Sequence, residues 1–269
     1  MKGYTITIIT INLNNQSGLK TTLESVVDQS DTDFELIVID GASRDGSKAL
    51  LDQYSTIITH SVSEPDTGIY HAMNKGIKRA SGEYLLFLNS GDYLYDSSTV
   101  HKLRSALLQH EDVDILSGEL ELMSKDSEKE TWIPPNQLSF DLFFHNTLPH
   151  PSTLIRSALF NEVGNYNESH KIASDYEWFL KAYLSDKYRF RKMDFVVSCH
   201  ALSGLSSDDT LKDVIKKERY LSQRSLLRDD IWVSYQKLVD LEREHALLLS
   251  SRFVKLARRL SKLKRLLFG

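Results

Sequence analysis

Cysteine is almost absent from this chain of 269 residues, in which Cys199 stands alone. A single thiol cannot form an intramolecular disulfide, which excludes the small secreted scaffolds that depend on such bonds and indicates a reducing compartment. Long apolar runs are also missing, since the longest covers only Tyr84–Leu88. A membrane-spanning helix needs about 20 apolar residues, and no secretory signal opens the chain. We therefore expect neither a spanning protein nor a secreted one.

Acidic residues outnumber basic ones in the body of the chain, whereas every charged residue at its end is basic. Residues 251–269 contain seven Lys or Arg residues and no acidic residue. The formal net charge of the whole chain is −4, so the preceding part carries −11. An acidic body argues against a nucleic-acid-binding domain, and we expect no nucleic-acid partner.

Strand-like and helix-like patterns alternate along the first hundred residues. Tyr4–Ile11 is rich in β-branched residues, and Phe34–Ile39 is as apolar as a parallel strand buried on both faces. Further strands are predicted at 57–62, 83–88, 115–123, 131–133, 151–155 and 195–200, with helices at 19–27, 72–80, 97–110 and 174–184. This alternation predicts an α/β fold with a mainly parallel central sheet. From 211 onward a helical C-terminal extension is predicted.

Polar residues follow the first two predicted strands. Asn12 and Asp40 are expected on one edge of the sheet, because ligands bind beyond the carboxyl ends of parallel strands. A carboxylate followed by a glycine turn can accept hydrogen bonds from a nucleotide base or ribose. The alternative is an ordinary strand-to-helix turn with Ser43 or Asp45 as the helix N-cap.

The segment Asn89–Asp92, with the sequence NSGD, follows the predicted strand at 83–88. An aspartate here can hold a hard divalent cation, which takes its remaining ligands from water and from substrate phosphates. The alternative is a common polar turn.

Taken together, four segments resemble the family 2 glycosyltransferases, a large inverting group with the nucleotide-diphospho-sugar transferase (GT-A) fold. The family's opening strand, Asp-Asp-Gly-Ser-like turn, Asn-x-Gly helix and Asp-x-Asp-like turn are matched in order at residues 8–12, 40–46, 74–76 and 89–92. The stretches 63–76 and 87–92 look like the branch that builds bacterial exopolysaccharides such as colanic acid. The resemblance covers about residues 4–205. It implies a GT-A-like three-layer fold.

The resemblance also implies roles for individual residues. Asp40 would contact the donor's nucleobase, Asp92 would bind the metal, and Asn12, Asn74 and Asn89 would belong to the donor side.

Two departures from the family pattern accompany these roles. The usual Asp-Asp pair is Asp40-Gly41 here, and the carboxylate expected on the ribose has become Gly91. Ribose recognition must then come from the backbone or from another side chain.

Asp175 is the predicted general base. The family places this base in a Glu-Asp pair that opens a helix, and Ser174-Asp175 aligns with that pair. Inverting glycosyl transfer needs one carboxylate that takes the proton of the acceptor hydroxyl. A capping box formed by Ser174 and Glu177 is the structural alternative, and both interpretations are compatible.

Two histidines and the cysteine complete the candidate residues. His150 falls where the family has its acceptor-side loop. His200 follows a strand and is expected to complete the metal site or to contact the leaving diphosphate. Each has the alternative of a structural or solvent-exposed loop residue. Cys199 is expected to be a core residue.

The end of the chain reads as a basic amphipathic helix over 251–269. Phe253, Leu256, Leu260, Leu263 and Leu267 recur at intervals of three and four, among the seven cations. Such a helix suits the headgroup region of an anionic bilayer, or alternatively packs on the acidic body or on another subunit. Residues 211–250 suggest helices that pack on the body or form a homodimer, with heptads too irregular for a clear coiled coil.

These observations predict a catalytic domain over 1–210 and an extension over 211–269. The implied activity is inverting transfer from a nucleotide-diphospho-sugar, more readily a UDP-sugar, to a hydroxyl of a lipid-linked glycan, with Mg²⁺ or Mn²⁺ as the cation. The implied setting is bacterial surface polysaccharide assembly, in the cytoplasm at the inner face of the plasma membrane. The alternatives are a glycan-assembly scaffold with a weakened site and a nucleotidyltransferase. The latter would ordinarily show a Gly-rich basic phosphate loop after the first strand, which is missing here.

Overall fold

The computed structural model describes residues 5–110, 112–123, 129–201 and 209–250. The chain divides into two compact units between Arg219 and Tyr220. The predicted amphipathic helix over 251–269 lies outside the described residues. The predicted domain boundary between 210 and 211 stays a prediction.

Strands and helices alternate through the first part of the first unit. They are β1 (Ile6–Asn12), α1 (Gln16–Val27), β2 (Phe34–Asp40), α2 (Ser47–Gln53), β3 (His60–Ser63), α3 (Ile69–Arg79) and β4 (Tyr84–Phe87). β1 pairs in parallel with both β2 and β4, and β2 pairs in parallel with β3. These four strands form the parallel half of the sheet, and their carboxyl ends lie at one edge.

The remainder of the first unit completes the sheet with mixed pairings. Its elements are β5 (Tyr93–Leu94), α4 (Thr99–Gln109), β6 (Ile115–Met123), β7 (Lys129–Trp132), α5 (Phe140–His145), β8 (Thr153–Arg156), α6 (Leu159–Glu162), α7 (Ser174–Ser185) and β9 (Phe190–Ala201). Within the described ranges nine strands form one sheet, in the order β3-β2-β1-β4-β8-β6-β9-β5, and β7 pairs with β6. β8 is antiparallel to β4 and β6, whereas β6 and β9 are parallel.

Two strands begin at least three residues away from their predicted first residues. β3 begins at His60, because the amides of Ile57 and Ile58 bond back to the carbonyl of Tyr54 and continue the turn after α2. β9 begins at Phe190, five residues earlier than predicted. The polar residues at its start hide the strand in the sequence, but Arg191 pairs with Leu116 of β6.

Helices cover both faces of the parallel half. The main core joins apolar residues of α1, α2 and α4 to the strands, whereas Ala72 of α3 packs with Ile37 and Ile39 on the opposite face. A Cβ atom at Gly76 would lie 2.5 Å from Cγ2 of Ile9, so α3 approaches β1 too closely for a side chain. The glycine of the Asn-x-Gly motif is therefore required by helix-to-sheet packing.

Two helices follow the sheet. α8 (Lys212–Leu226) crosses the division between the units, and α9 (Asp229–Ser250) belongs to the second unit. In that unit the guanidinium of Arg224 lies 4.6 Å from the ring centre of Trp232, and Tyr220 packs edge-on against the same ring. Apolar side chains on α9 are exposed, among them Leu241, Leu247 and Leu248. Among the described helices, none has the length and apolar character needed to cross a bilayer.

A buried carboxylate joins three segments at the amino end of the sheet. Glu35 on β2 accepts hydrogen bonds from Thr7 Oγ1 on β1 and from the backbone and hydroxyl of Ser81, which precedes β4. Thr7 Oγ1 also accepts from the amide of Gly82 at 2.9 Å. The Thr7 hydroxyl thus satisfies two buried groups at once.

Replacing Thr7 by valine is predicted to destabilise the fold, because at nearly constant volume the change leaves the Gly82 amide unpaired and removes one of the two donors to Glu35 Oε2. A buried polar group that loses its partner costs about 1–3 kcal/mol, so the free energy of unfolding should fall by roughly that amount in a urea titration. Thr10→Val is the matched control on the same strand, since Thr10 is equally buried and its Oγ1 has no hydrogen-bond partner. Equal losses in the two variants would contradict this account.

Candidate active site

Asn12 and Asp40 are adjacent at the carboxyl edge of the sheet. They end β1 and β2 and are direct partners in the parallel register. Asn12 Nδ2 donates to Asp40 Oδ1 at 2.8 Å and to the hydroxyl of Ser43 at 3.1 Å. The structure therefore brings these two predicted donor-side residues together.

Asp40 is fully buried and saturated with donors. Besides Asn12, its carboxylate accepts from the hydroxyl and amide of Ser43 and from the hydroxyl of Ser63 at 2.6 Å. Burial opposes the charged form, but these hydrogen bonds outweigh burial and hold the pKa of Asp40 below its ordinary value. A carboxylate offers about four acceptor sites, so contact with a nucleobase requires one serine hydroxyl to turn away. That contact stays a prediction.

The turn after Asp40 is conformationally unusual. Ala42 has a φ of 63°, in the left-handed region that residues with a side chain seldom adopt. The amide of Gly41 donates to the carbonyl of Asn12, and the amide of Ser43 donates to Asp40. Such strained backbone clusters at functional sites. The capping alternative named the wrong residue: the N-cap of α2 is Gly46, not Ser43 or Asp45, although Asp45 accepts from the amide of Ser47.

The turn Asn89–Asp92 follows β4 at the same edge. Gly91 has a φ of 108°, so this position favours glycine and a carboxylate there would be strained. The shape of the turn therefore explains why glycine, and not the carboxylate expected on the ribose, stands at this position. The hydroxyl of Thr22 on α1 donates to the carbonyl of Asp92 at 2.7 Å and accepts from the amide of Gly91.

Asp92 and His200 form a close pair. Nδ1 of His200 lies 2.5 Å from Oδ1 of Asp92, and Asp92 is buried. Burial alone would lower the pKa of His200, but the hydrogen bond and the charge of Asp92 raise it above the usual value. The pairing joins the end of β4 to the end of β9, which are far apart in the sequence.

The donor atoms at this corner suit a hard cation. In the same turn as Asp92, the buried Oδ1 of Asn89 has no hydrogen-bond partner, which fits an oxygen ligand. Over the described ranges, no group of three or more His, Cys, Asp or Glu side chains is placed to hold a metal ion. An ion at Asp92 would therefore rely on water and on substrate phosphates for its other ligands.

Asp175 lies in the first turn of α7 and contacts α3. Tyr70 Oη donates to Asp175 Oδ1 at 2.8 Å. Burial and the nearby carboxylate raise the pKa of Tyr70 well above its ordinary value, so the phenol stays protonated and remains a donor. One oxygen of the predicted base is thereby held in a fixed direction.

The capping-box interpretation of Ser174 is wrong. Ser174 is the first helical residue of α7, and the N-cap is Ala173, which makes no side-chain capping bond. Ser174 Oγ instead accepts from the amide of Asn167 at 2.6 Å, and Glu177 accepts from the Asn167 side chain. The three amides of residues 171–173 donate to Glu218 on α8. A distant carboxylate therefore binds the backbone just before the helix.

His150 and Asn74 are buried among structural partners. His150 stacks on Phe87 and lies 2.7 Å from Tyr166 Oη, and burial lowers its pKa, so the imidazole is neutral at neutral pH. Asn74 exchanges two hydrogen bonds with the backbone of Tyr166 and donates to Glu168. Their acceptor-side and donor-side roles stay predictions, and the contacts show both residues supporting the segment before α7.

Cys199 is a core residue, as predicted. It is buried on β9, and burial raises the pKa of its thiol to about 11. The thiol is thus protonated at neutral pH and unsuited to nucleophilic attack.

Three contacts of the site were not anticipated from the sequence. Ser63 and Tyr70 lie within the stretch 63–76, so their place in that stretch was the available signal. Glu218 lies in a mixed-charge helix and has no local pattern that distinguishes it.

Solved structures share this fold. TarS 1–349 of S. aureus in complex with UDP matches with a TM-score of 0.60 and 22% identity, over 74% of this chain and 61% of that one. This chain thus spans less than two thirds of that TarS chain. The mannosyltransferase PcManGT from Pyrobaculum calidifontis, in complex with GDP-Man and Mn²⁺, matches with a TM-score of 0.59 and 14% identity, over 94% and 82%.

Sequence relatives agree with the fold. A PGL/p-HBAD biosynthesis glycosyltransferase of Mycobacterium bovis (strain BCG / Pasteur 1173P2) is 29% identical over 216 residues, 78% of this chain and 82% of the relative. An uncharacterized glycosyltransferase of Mycobacterium tuberculosis (strain CDC 1551 / Oshkosh) is 36% identical over 183 residues, 67% and 69%. The family model described as glycosyl transferase family 2 matches residues 7–194. With motifs, fold and relatives in agreement, this chain belongs to glycosyl transferase family 2, and its α/β architecture is GT-A-like.

Proposed function

We propose that this protein transfers a sugar, with inversion, from a nucleotide-diphospho-sugar to a hydroxyl of a lipid-linked glycan. The observation that carries the proposal is the gathering of Asn12, Asp40 and the Asp92–His200 pair at the carboxyl edge of one sheet. That edge is where open α/β sheets bind ligands. A UDP-sugar is the proposed donor. Solved structures of similar fold contain UDP, UDP-GlcNAc or GDP-Man.

The donor side is organised by Asp40. Its carboxylate orders the hydroxyls of Ser43 and Ser63 and the amide of Asn12. Exchange of one serine bond for a base N–H would keep the carboxylate satisfied while it binds the nucleotide. Asn89 lies at the neighbouring strand end, where the diphosphate is proposed to bind.

A divalent cation, Mg²⁺ or Mn²⁺, is proposed at Asp92, with His200 and Asn89 as the adjacent donor groups. When bound, such an ion supplies Lewis-acid neutralisation of charge on the departing diphosphate. Asp92 is anchored for this role by Thr22, which holds its carbonyl. One of the similar solved structures contains Mn²⁺.

Asp175 is proposed as the general base. Its free carboxylate oxygen takes the proton of the acceptor hydroxyl while that oxygen bonds to the anomeric carbon. The bond from the anomeric carbon to the diphosphate oxygen breaks in the same displacement, and the nucleoside diphosphate leaves with the electron pair. Tyr70 holds the other carboxylate oxygen. No covalent intermediate with the protein forms.

The proposed setting is bacterial surface glycan assembly at the inner face of the plasma membrane. Two features support it: the branch resemblance at 63–76, and the cationic segment 251–269, which would keep the active site beside a lipid-linked acceptor. The exposed leucines of α9 offer a face on which a second subunit is proposed to pack.

Asp175→Asn is predicted to lower turnover by about 10²–10⁴-fold, because the amide cannot accept the acceptor's proton. The donor is first identified as the nucleotide sugar that most raises the thermal midpoint in the presence of Mn²⁺. Transfer or donor hydrolysis is then measured. Asp186→Asn, the same change at the exposed C-cap of α7, is the control and should leave turnover unchanged. Normal turnover in Asp175→Asn would refute the base assignment.

Removing divalent cations with a chelator is predicted to suppress turnover of the wild-type protein, and added Mn²⁺ should restore it. Asp92→Ala should lose turnover and gain nothing from Mn²⁺, because the metal's carboxylate ligand is absent. If the chelator does not change the turnover of the wild-type protein, the metal proposal is refuted. Wild-type activity that is lost in both Asp92→Ala and Asp175→Asn would exclude the scaffold alternative.

Truncation after Ser250 is predicted to abolish co-sedimentation with anionic liposomes. The removed segment contributes seven positive charges, each adding on the order of 1 kcal/mol near an anionic surface. Neutral phosphatidylcholine liposomes are the control for charge. Equal sedimentation of the full and shortened chains would show that the segment does not anchor the protein.

A further inference from the structure

Glu218 of α8 binds the backbone immediately before α7. Its Oε1 accepts from the amide of Lys171 at 2.6 Å, and its Oε2 accepts from the amides of Ile172 and Ala173, both at 3.0 Å. The Glu218 side chain is only 11% exposed. Consecutive backbone amides that converge on one anion form a binding concavity of the kind used for phosphates, and here an acidic side chain of the chain itself occupies it.

The need for this carboxylate arises from the position of the three amides. They lie before Ser174, the first helical residue, so no carbonyl of α7 can accept from them, and backbone amides shielded from water must be paired. A negative charge is also favourable near the positive end of a helix. Glu218 supplies both the acceptor and the charge from a segment 45 residues further along the chain.

The start of α7 is further fixed by the residue that follows Glu218. The guanidinium of Arg219 lies 4.5 Å from the ring centre of Tyr176 and donates to the carbonyl of Asn146 at 2.8 Å. Contacts to α8 therefore lie on both sides of Asp175 in the sequence: before it at the backbone of 171–173, and after it at the ring of Tyr176. Its carboxylate is meanwhile held by Tyr70.

Charged neighbours surround this contact. His170 lies 4.0 Å from Glu218 and 3.4 Å from Glu177, and Lys181 pairs with Glu177. These groups link the first two turns of α7 to the segment before it. They do not replace Glu218 as the acceptor for the three amides.

We propose that Glu218 is a positioning residue for Asp175, and that the beginning of α8 is for this reason part of the catalytic machinery. The inference rests on the proposed function in its assignment of Asp175 as the base. A displacement of about 1 Å at a reacting group can cost on the order of 10²-fold in rate. Loss of the Glu218 bonds frees the backbone two residues before the base, whereas the donor-side residues of β1, β2 and β4 keep their own contacts.

Three variants test the proposal. Glu218→Gln removes the charge and presents an amide group to the backbone donors. Glu218→Asp retains the charge on a shorter side chain. Glu83→Gln, which alters an exposed ion pair with Arg156, is the matched control. For each full-length variant we would measure kcat and donor KM well below its thermal midpoint, together with hydrogen exchange of the amides at 171–173.

For Glu218→Gln the expected result is a roughly 10- to 100-fold lower kcat with donor KM within about twofold of wild type, and faster exchange at 171–173. Glu218→Asp should fall between Glu218→Gln and wild type, and Glu83→Gln should match wild type. A purely stabilising role would lower the midpoint without this split between kcat and KM.

Wild-type kcat in Glu218→Gln, or unchanged exchange at 171–173, would overturn the proposal. If Glu218→Gln does not fold, wild-type kcat in Glu218→Asp despite faster exchange would overturn it equally. Absence of turnover in the wild type with every nucleotide sugar would count against the proposed function instead. The exchange measurement needs no substrate, so the two failures are distinguishable.

Discussion

The parallel pairing of β1 with both β2 and β4 determines where the chemistry of this protein can lie. Parallel strands bring their carboxyl ends to one edge, and the register places Asn12 beside Asp40 without any offset. A slip of β1 by one residue against β2 would turn the Asn12 side chain to the opposite face of the sheet. The continuously apolar β2 keeps the register fixed, since it is buried over its whole length.

Buried polar groups are paired near the amino end of β1, whereas several near its carboxyl end have no hydrogen-bond partner. At the amino end, Thr7, Glu35 and Ser81 satisfy one another within the fold. At the carboxyl end, Thr10 Oγ1, Asn12 Oδ1 and Asn89 Oδ1 are buried without hydrogen-bond partners. Unpaired buried polar atoms are uncommon and mark places where a structure is built for something besides stability. Together with the strained Ala42 turn, they distinguish the ligand edge from the rest of the sheet.

Local patterns in the sequence predicted most of the elements and one edge of the site, but they missed β5, α5 and α6. β-branched and apolar runs located β1 and β2, and their termini predicted the proximity of Asn12 and Asp40 that the register confirms. The start of β9 was missed because its residues are polar and form no apolar run, although they pair with β6 in the sheet. Family resemblance, not periodicity, singled out Asp175 and His200, whose partners Tyr70 and Asp92 are more than a hundred residues away.

The capping box wrongly predicted at Ser174 shows why a short sequence pattern cannot predict contacts between residues far apart in the chain. A Ser-x-x-Glu pattern predicts a self-contained helix start, but the chain uses Ser174 to hold the preceding loop and takes its acceptor for the amides at 171–173 from Glu218. A local cap would fix only the helix terminus. A carboxylate from α8 fixes that terminus relative to another element, while Tyr70 fixes Asp175 relative to α3. In its proposed role as the base, Asp175 needs both constraints, because the direction of its carboxylate depends on every element that supports it.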